Sequence, residues 1–391
     1  MNFTELSRKY KSLDLILSED PEHGRKYLLF GNSDGKMWLL PADVLRTALC
    51  IYQPSSQKGR LLKSLLPALM KLAPSMALSK TGGEILSLRH TERFDALLSE
   101  TFDGNIPDTA IFLGTPGVHT KLTLQFFKGQ EIFAYGKLSY SGEAIKLTKH
   151  EEEVLESLRL AGYERMPRVL FGGTPFDESN ARLLIQSTTK TPSSGVAHSL
   201  KVEHYQAVVE LMGLTGRTCA FSETTYCKDL LRLRAALAER ILHERNLSVL
   251  LTDAIDAVIS RESNYESVTY VRCHGDFTPW NTYLAGGRLE LFDWEYSKEE
   301  YPPYYDIFHF TISHCYYEKH MTAAEISSFL KNKLLPEMSL LTEEADFLLL
   351  EYLLGILALY ESRCPREVRL LDSHPVVQIF SDILKDLKGS I

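Results

Sequence analysis

The stretches VRCHGDFTPWN at residues 271–281 and LFDWE at residues 291–295 decide the fold. Between them, Gly286 and Gly287 suit the centre of a two-residue turn, because glycine accepts the positive φ angles that tight hairpins require. Counting outward from these two glycines pairs the flanking residues as far as Asn281 with Phe292. We therefore expect Asn281 and Asp293 to lie side by side at the open end of one hairpin.

Asp276 lies five residues before Asn281, on the segment that leads into this hairpin. Two carboxylates and one amide should therefore meet at one place, and oxygen ligands of this kind suit Mg²⁺. A carboxylate beside such a site can also accept a proton from an attacking hydroxyl group. Aspartate is common in turns, which would account for Asp276 or Asp293 alone. It does not account for the order His-Asp-Asn with a second aspartate at the end of the hairpin, so the pattern favours a phosphoryl-transfer site.

These two motifs resemble those of the aminoglycoside phosphotransferase and choline kinase family, relatives of the protein kinases. In that family H-G-D-x-x-x-x-N is followed by a hydrophobic residue, an aspartate and an aromatic residue. The resemblance covers roughly residues 105–320. It implies ATP as the phosphoryl donor, Asp276 as the catalytic base, and Asn281 and Asp293 as Mg²⁺ ligands. It also counts His274 among the catalytic residues, as a side chain that holds the loop by hydrogen bonding rather than as a reactant.

The resemblance also implies a small lobe that binds the nucleotide. The loop GTPGVH at residues 114–119 joins two expected strands, and backbone N–H groups around Gly114 and Gly117 would bind phosphate. This loop lacks the full G-x-G-x-x-G pattern, and an ordinary hairpin turn is the alternative. Lys137 lies at the end of a strand, where the family places its phosphate-binding lysine; the alternative is a solvated lysine. The adenine ring would bind backbone groups near Gln186 and Ser187, at the expected hinge.

The helix after Lys137 allows an independent prediction. Four glutamates compete for the lysine: Glu151, Glu152, Glu153 and Glu156. Glu151 is four residues after Leu147 and four before Leu155, so it falls on the apolar stripe of the helix. A carboxylate on an apolar face is costly unless it is paired. We therefore expect Glu151 to pair with Lys137 and the other three glutamates to lie on solvated faces.

Only twelve residues separate Asp293 from Asp306. This interval is too short for the activation segment with which protein kinases dock a polypeptide, so we expect the acceptor to be a small molecule with a hydroxyl group. Asp306 resembles the family's structural aspartate near the catalytic loop, and the resemblance implies that it supports the loop that carries Asp276. His309 and His314 are interpreted as ordinary core or surface residues.

The kind of acceptor stays open between an amino alcohol, an aminoglycoside and a sugar. Aromatic side chains that could cage an ammonium, stack on a sugar or fill the core crowd this region, namely Trp280, Trp294, Tyr301, Tyr304, Tyr305, Tyr316 and Tyr317. Core filling is the default interpretation for most of them. Glu295, Glu299 and Glu300 would either attract a cationic acceptor or form a solvated run of charge.

The order of strand and helix patterns predicts an α+β protein with a bilobal, protein-kinase-like fold, in which a β-rich N-terminal lobe precedes a larger, mostly helical C-terminal lobe. Residues 1–100 are expected to form an N-terminal extension, residues 101–187 the small lobe and residues 188–391 the large lobe. In the extension we predict a hairpin, Tyr27–Phe30 with Lys36–Leu40, and a helix from Pro41. Further strands are predicted at Thr109–Leu113, Leu122–Phe127, Ile132–Leu138 and Arg182–Gln186, and helices at Leu147–Leu160, His204–Leu214, Lys228–Leu242 and Glu343–Glu361.

The composition of the chain limits the kinds of binding partner and the cellular location that we expect. With 43 Lys and Arg against 51 Asp and Glu, the formal net charge is −8, which disfavours sequence-independent binding to nucleic acid. No two of the six cysteines have C-x-x-C spacing and no secretory signal is evident, so we expect a cytoplasmic protein.

No apolar run is long enough to span a bilayer. The basic, amphipathic residues 58–71 favour a helix packed on the small lobe, with contact to a membrane surface or an anionic substrate as the alternative.

Two other functions compete with a kinase. A catalytically silent, nucleotide-binding pseudokinase would have lost a metal ligand or the base, and neither is lost here. A metal-dependent phosphoesterase would need several histidine ligands close together, and no second histidine-rich motif supplies them.

Overall fold

The computed structural model describes residues 3–54, 57–115, 117, 119–176, 180–191, 194–240, 245–366 and 368–388. The chain divides into two compact units. Unit 1 comprises Met1–Leu160 and Met166–Ser194, and unit 2 comprises Ala161–Arg165 and Gly195–Ile391.

Unit 1 is built on one antiparallel sheet, which has nine strands in the residues described. The strands are β1 (Leu17–Glu19), β2 (Arg25–Gly31), β3 (Met37–Pro41), β4 (Glu84–His90), β5 (Asp108–Leu113), β6 (Lys121–Lys128), β7 (Glu131–Ser139), β8 (Val169–Gly173) and β9 (Arg182–Ser187). They lie in the order β1-β4-β2-β3-β5-β6-β7-β9-β8. The helices of this unit are α1 (Phe3–Lys9), α2 (Leu13–Ile16), α3 (Leu45–Ala48), α4 (Gln57–Leu72), α5 (Pro74–Thr81), α6 (Glu92–Thr101) and α7 (Gly142–Leu160).

Both faces of this sheet are covered. Along β2, Tyr27 and Leu29 belong to one apolar cluster, whereas Leu28 and Phe30 belong to another. Because side chains alternate between the faces of a strand, the two clusters lie on opposite sides of the sheet. The apolar run of β2 is thus the sequence signature of a strand buried on both faces.

The strands of residues 1–100 belong to the same sheet as those of residues 101–187, since β3 pairs with β5. The predicted hairpin is confirmed as β2 and β3. The helix predicted from Pro41 is wrong, because Pro41 is the last residue of β3, paired with Tyr27, and the next helix begins at Leu45. Pairing between β3 and β5 has already ended at Leu39, so the missing N–H group of Pro41 costs no sheet bond on that side.

The basic segment 58–71 forms most of α4. Leu66 is buried and Leu62, Leu69 and Met70 pack against the same apolar cluster. The opposite side of the helix is exposed, including Leu61, Leu65 and Leu72. The structure thus contains the packed helix that the sequence favours. Contact of its outer side with a membrane or an anionic substrate stays a prediction.

Unit 2 is mostly helical. Its helices are α8 (Val202–Thr215), α9 (Thr225–Arg240), α10 (Arg245–Glu262), α11 (Tyr305–Ser313), α12 (Ala323–Phe329), α13 (Leu335–Met338), α14 (Ala345–Arg363), α15 (Leu370–Ser373) and α16 (Pro375–Lys388). Its strands are β10 (Arg217–Cys219), β11 (Val268–Cys273), β12 (Thr282–Ala285), β13 (Arg288–Leu291) and β14 (Lys298–Tyr301). β11 lies between β10 and β14, and β12 pairs with β13.

The predicted fold class is confirmed, because a β-rich N-terminal part precedes a mostly helical C-terminal part. The strands predicted within residues 101–187 are confirmed as β5, β6, β7 and β9. The helix predicted at Lys228–Leu242 corresponds to α9, whose last turn reaches Arg240, and the predicted end at Leu242 lies outside the described residues. Within the described chain, no helix combines the length and apolar character that crossing a membrane requires.

Candidate active site

The loop at residues 274–281 follows directly from β11, and one buried carboxylate supports its first two residues through hydrogen bonds. Asp306, at the start of α11, accepts hydrogen bonds from the backbone N–H groups of His274 (2.7 Å) and Gly275 (3.1 Å). Asp306 is only 2% exposed, and this burial raises the pKa of its carboxyl group. Its expected supporting position is confirmed. Gly275 has φ +81°, and a Cβ atom there would lie 2.1 Å from the carbonyl oxygen of Tyr296, so the turn requires glycine.

His274 ties this loop to the end of the hairpin. Its Nε2 donates to the carbonyl oxygen of Phe292 (3.1 Å), and its Nδ1 accepts from the backbone N–H of Asp276 (3.3 Å). The ring is buried, with its centroid 4.4 Å from that of Trp294, and burial lowers its pKa. A neutral imidazole with both nitrogens engaged cannot carry a proton to a substrate. This geometry matches the holding role that the sequence predicts for His274.

The hairpin has the register counted from its two glycines. Thr282 pairs with Leu291, and beyond this pair the N–H of Phe292 donates to the carbonyl oxygen of Asn281 at 3.1 Å. Asp293, the next residue, has φ +70°, a left-handed conformation that is uncommon for residues other than glycine. Backbone conformations of this kind cluster at functional sites. The predicted proximity of Asn281 and Asp293 at the open end of the hairpin agrees with this register.

Asp276 is oriented through both of its carboxylate oxygens. The Asn281 amide nitrogen donates to Oδ2 (2.8 Å) and also to the backbone carbonyl oxygen of Asp276 (3.0 Å). On the other side, His309 Nε2 lies 3.4 Å from Oδ1. The Asp276 side chain is still 28% exposed, so a substrate hydroxyl group can reach it. Asp276 therefore has a fixed orientation and an open side.

The donor set at the end of the hairpin fits a hard divalent cation. The carboxylates of Asp293 and Glu295 offer oxygen atoms within 4.8 Å of each other. Because the Asn281 amide nitrogen is engaged with Asp276, the carbonyl oxygen of this side chain is the atom left to bind a cation. Carboxylate and amide oxygens are the ligands that Mg²⁺ takes. The family resemblance implied Asn281 and Asp293 as metal ligands, whereas Glu295 was interpreted either as an attraction for a cationic acceptor or as part of a solvated run of charge.

His309 has a position beside Asp276 that the sequence analysis did not predict. It was interpreted as an ordinary residue, together with His314, but the structure separates the two. His309 contacts Asp276, whereas His314 is hydrogen-bonded to Glu318 at 2.7 Å. The available signal was spacing, because His309 is three residues after Asp306 on α11 and therefore on the same side of that helix.

In unit 1, Lys137 of β7 and Glu151 of α7 form the expected pair. Lys137 Nζ lies 2.7 Å from Glu151 Oε1 and 2.5 Å from Oε2, and Glu151 is fully buried. Glu153 and Glu156 pair with neighbours on the exposed face of the helix. Glu152 differs from its prediction, because it forms an ion pair with Arg182 of β9 (2.6 Å). The apolar stripe thus identified the partner of the lysine correctly.

The loop between β5 and β6 is organised by a threonine. The N–H of Gly117 donates to Thr120 Oγ1 (2.5 Å), and the same hydroxyl group donates to the carbonyl oxygen of Thr115 (3.0 Å). The carbonyl oxygen of Gly114 accepts from the hydroxyl group of Tyr10 (3.0 Å). Pro116 and Val118 of this loop lie outside the described residues. Because the N–H of Gly117 already has an acceptor, phosphate binding by Gly114 and Gly117 stays a prediction.

The expected hinge residues lie at the end of β9. The Ser187 N–H donates to the carbonyl oxygen of Arg168 (2.8 Å), and the Ser187 hydroxyl accepts from the Arg168 N–H (2.9 Å). Gln186 is 5% exposed, and its amide nitrogen has no hydrogen-bond partner among the described residues. Adenine binding near Gln186 and Ser187 therefore also stays a prediction.

The comparisons with known proteins give matches among solved structures alone. No family model matches the chain, and no curated protein is significantly similar in sequence. The GDP and kanamycin complex of APH(2'')-IIIa is 12% identical, with a TM-score of 0.47, and the match covers 77% of this chain and 99% of that one. The ADP and hygromycin B complex of a thermostable mutant of the aminoglycoside phosphotransferase APH(4)-Ia is 13% identical, with a TM-score of 0.44, covering 76% and 98%.

A protein from Haemophilus somnus 129PT that bears the name fructosamine-3-kinase is 11% identical, with a TM-score of 0.43, covering 75% of this chain and 96% of that one. Aminoglycoside phosphotransferases, the class that the two motifs resemble, thus recur among the similar structures. At such low identities and TM-scores the likeness assigns no activity to this chain. Its function has to be inferred from its own residues.

Proposed function

We propose that the chain is an ATP-dependent phosphotransferase that moves the γ-phosphoryl group to a hydroxyl group of a small molecule. The observation that carries the proposal is the placement of Asp276. One of its carboxylate oxygens is held at 2.8 Å by Asn281, the other lies 3.4 Å from His309, and an open side faces a cavity. A carboxylate fixed beside a cation-binding donor set and open to a substrate suits the base of a phosphoryl-transfer enzyme.

In the proposed reaction the acceptor hydroxyl group gives its proton to Asp276 while its oxygen bonds to the γ-phosphorus atom. The bond between that phosphorus and the β–γ bridging oxygen breaks, which releases ADP, and Asp276 later passes the proton to solvent. Asn281 and His309 keep the carboxylate in one orientation. His274 and Asp306 keep the loop in place. Most of the rate acceleration would then come from placement and electrostatics.

Asn281, Asp293 and Glu295 would hold Mg²⁺, which when bound neutralises charge on the phosphates. Lys137, oriented by Glu151, would bind the phosphates of the nucleotide. Gly114 and Gly117 are proposed as further phosphate contacts, and Gln186 and Ser187 as contacts of the adenine ring.

The test is acceptor-dependent release of nucleoside diphosphate by the full chain with Mg²⁺ and either ATP or GTP. Asp276→Asn keeps the size of the side chain but removes the base, so we expect kcat to fall by about 10²–10⁴-fold while nucleotide affinity is retained. Asp372→Asn is the matched control, because Asp372 is an exposed aspartate paired with Arg369 on the helix surface.

Three results would count against the proposal. Turnover by Asp276→Asn equal to that of the unmodified chain would remove Asp276 from its role. Binding of nucleotide without turnover against sugars, amino alcohols and aminoglycosides would favour a pseudokinase. Hydrolysis of a simple phosphoester by the metal-loaded, nucleotide-free protein would favour a phosphoesterase.

A further inference from the structure

A cavity of about 180 Å³ opens beside Asp276, and all of its described lining residues belong to unit 2. Its walls are contributed by residues 275–280, α11, α14 and α16, together with Tyr296 and Tyr317. The volume is smaller than that of typical drug-sized sites, about 300–1,000 Å³. A group the size of one small ring suits this cavity better than a complete aminoglycoside does.

The charges around this cavity are unlike those expected for a cationic acceptor. Among the described residues that line it, Asp276 is the only carboxylate, and Arg363 at the end of α14 adds a guanidinium group. The Arg363 guanidinium carbon lies 3.8 Å from the centroid of the Tyr296 ring. No hydrogen bond or ion pair joins Arg363 to any other described residue. Its charge is therefore available to a ligand.

The nearby acids are already engaged elsewhere. Glu299 forms an ion pair with Arg272, and Glu300 forms one with Arg217 while also accepting a hydrogen bond from the Thr225 backbone (3.0 Å). Neither lines the cavity, so the run of glutamates that the sequence offered as an attraction for a cation does not supply one there. An ammonium group on the acceptor would face Arg363 without a second carboxylate to balance it.

The remaining walls are aromatic. Trp280 and Tyr317 pack edge to face with their ring centroids 5.4 Å apart, and Tyr360 and Phe380 lie 6.0 Å apart. Burial raises the pKa of Tyr317 to about 12 and raises that of Tyr360 as well, so both hydroxyl groups stay neutral. Other aromatics of this region, such as Trp294 and Tyr301, are buried in the core. The cavity thus presents apolar ring faces and two neutral hydroxyl groups.

We propose that the acceptor is a small, ring-shaped hydroxyl compound that carries a carboxylate or a phosphate, which Arg363 binds, and that amines are selected against. The inference rests on the proposed function, because it places the acceptor hydroxyl group at Asp276. A guanidinium group matches carboxylate and phosphate through two parallel hydrogen bonds, which gives both affinity and orientation. Of the acceptors left open by the sequence, an anionic sugar fits and an amino alcohol or aminoglycoside does not.

The test compares probes built on one hexose ring, namely glucose, glucuronate, glucose 6-phosphate and glucosamine. Two readouts are taken on the full chain: binding by calorimetry and acceptor-dependent release of ADP. We expect glucuronate or glucose 6-phosphate to bind at least about tenfold more tightly than glucose, and glucosamine to bind most weakly. Comparison of the two anionic probes distinguishes a carboxylate from a phosphate acceptor.

Arg363→Met should remove the preference for the anionic probe and leave glucose binding within about twofold, while Arg363→Lys should keep part of the preference. Arg366→Met is the matched control, because Arg366 is an exposed arginine outside the cavity that faces Glu239. Arg363 is itself exposed, so an unchanged melting temperature should show that the variants fold.

Preference for glucosamine, persistence of the anion preference in Arg363→Met, or no binding of any probe would overturn the inference. Phosphorylation of a neutral or cationic acceptor in preference to an anionic one would overturn it and leave the phosphotransferase assignment standing. Anion binding that depends on Arg363 without ADP release would support the inference about the ligand and count against the proposed function.

Discussion

The loop at residues 274–281 and the cavity beside it are neighbours in unit 2 but are held in different ways. In the loop, His274 uses its backbone N–H and both ring nitrogens, and Asp306 fixes two successive backbone N–H groups. In the cavity, the contact that Arg363 makes within the described residues is with the ring of Tyr296, and its side chain remains exposed. A fully bonded loop gives one geometry to every substrate. The cavity, with the charge of Arg363 at its wall, is the part that we propose selects the acceptor.

This contrast can be tested by substitutions in three parts of unit 2. A change in the support of the loop should lower turnover with every acceptor alike. A change in the cavity should alter the ranking of acceptors. A change elsewhere in the core of unit 2 should affect stability and leave both properties unchanged.

Among the substitutions that test this contrast, Asp306→Ala is expected to have the largest effect on stability and turnover. This change removes the acceptor of two buried N–H groups, which should lower the free energy of unfolding by about 2–5 kcal/mol. The loop would shift, and we expect kcat to fall by about 10²-fold with all acceptors. Asp306→Asn keeps one oxygen acceptor and should give an intermediate loss. Denaturant unfolding and steady-state kinetics measure the two effects separately.

Asp229→Asn is the control for this experiment. Asp229 is also a buried aspartate of unit 2, and it accepts a hydrogen bond from Tyr301 and lies 3.5 Å from Lys298. We expect Asp229→Asn to lower the free energy of unfolding without a selective loss of kcat. Equal losses of kcat in the two variants at equal stability would show that Asp306 has no special link to the loop.

A smaller effect is expected at His309, which lies on the same helix as Asp306. His309→Ala removes the contact at Asp276 Oδ1, so we expect kcat to fall by about tenfold with every acceptor, at an unchanged KM for the nucleotide. His309→Gln can donate from a similar position and should restore part of the activity. A purely structural role would lower stability without this rescue of kcat. His314 is hydrogen-bonded to Glu318 rather than to Asp276, so His314→Ala should leave kcat unchanged.

These predictions also show where sequence reasoning works. The hairpin register was predicted by counting outward from the two-glycine turn. The choice of Glu151 as the partner of Lys137 followed from the helical period of 3.6 residues. Asp306 was predicted through its family position. The strands missed entirely, such as β8 and β14, are only five and four residues long. The equally short β12 and β13 were predicted from the glycine turn between them and not from alternation.

The cavity was not predictable for a different reason. Arg363 of α14 and Phe380 of α16 are more than 80 residues from Asp276 in the sequence, and no local pattern indicates which side of those helices faces Asp276. The contact of Thr120 was not predictable for the same reason. Its hydroxyl oxygen accepts a hydrogen bond from the N–H group of Gly117, which the sequence analysis assigned to phosphate binding. Contacts of this kind depend on tertiary packing between distant parts of the chain. They leave no short-range spacing pattern that could be recognised in a single sequence.

The smallest effect on catalysis, and a clear one on stability, is expected at Glu351 in the core of α14. Glu351 is fully buried, and the Tyr270 hydroxyl donates to its carboxyl group. Burial raises the pKa of Glu351 from 4.5 to about 8. Because the pKa in the folded state exceeds that in the unfolded state, the protonated form stabilises the fold. That contribution is complete below pH 4.5 and is lost as the pH rises through about 8.

Glu351→Gln places a neutral, hydrogen-bonding side chain in the same space and should remove this part of the pH dependence. We expect the unmodified chain to lose on the order of 2 kcal/mol more than the variant between the two ends of that pH range. Denaturant titrations of both proteins across the range measure the difference, with Glu343→Gln, an exposed glutamate just before α14, as the control. Parallel curves for Glu351→Gln and the unmodified chain would mean that Glu351 is ionised in the folded protein. If instead kcat of Glu351→Gln fell as far as that of His309→Ala, the separation drawn between the loop and the surrounding core would be wrong.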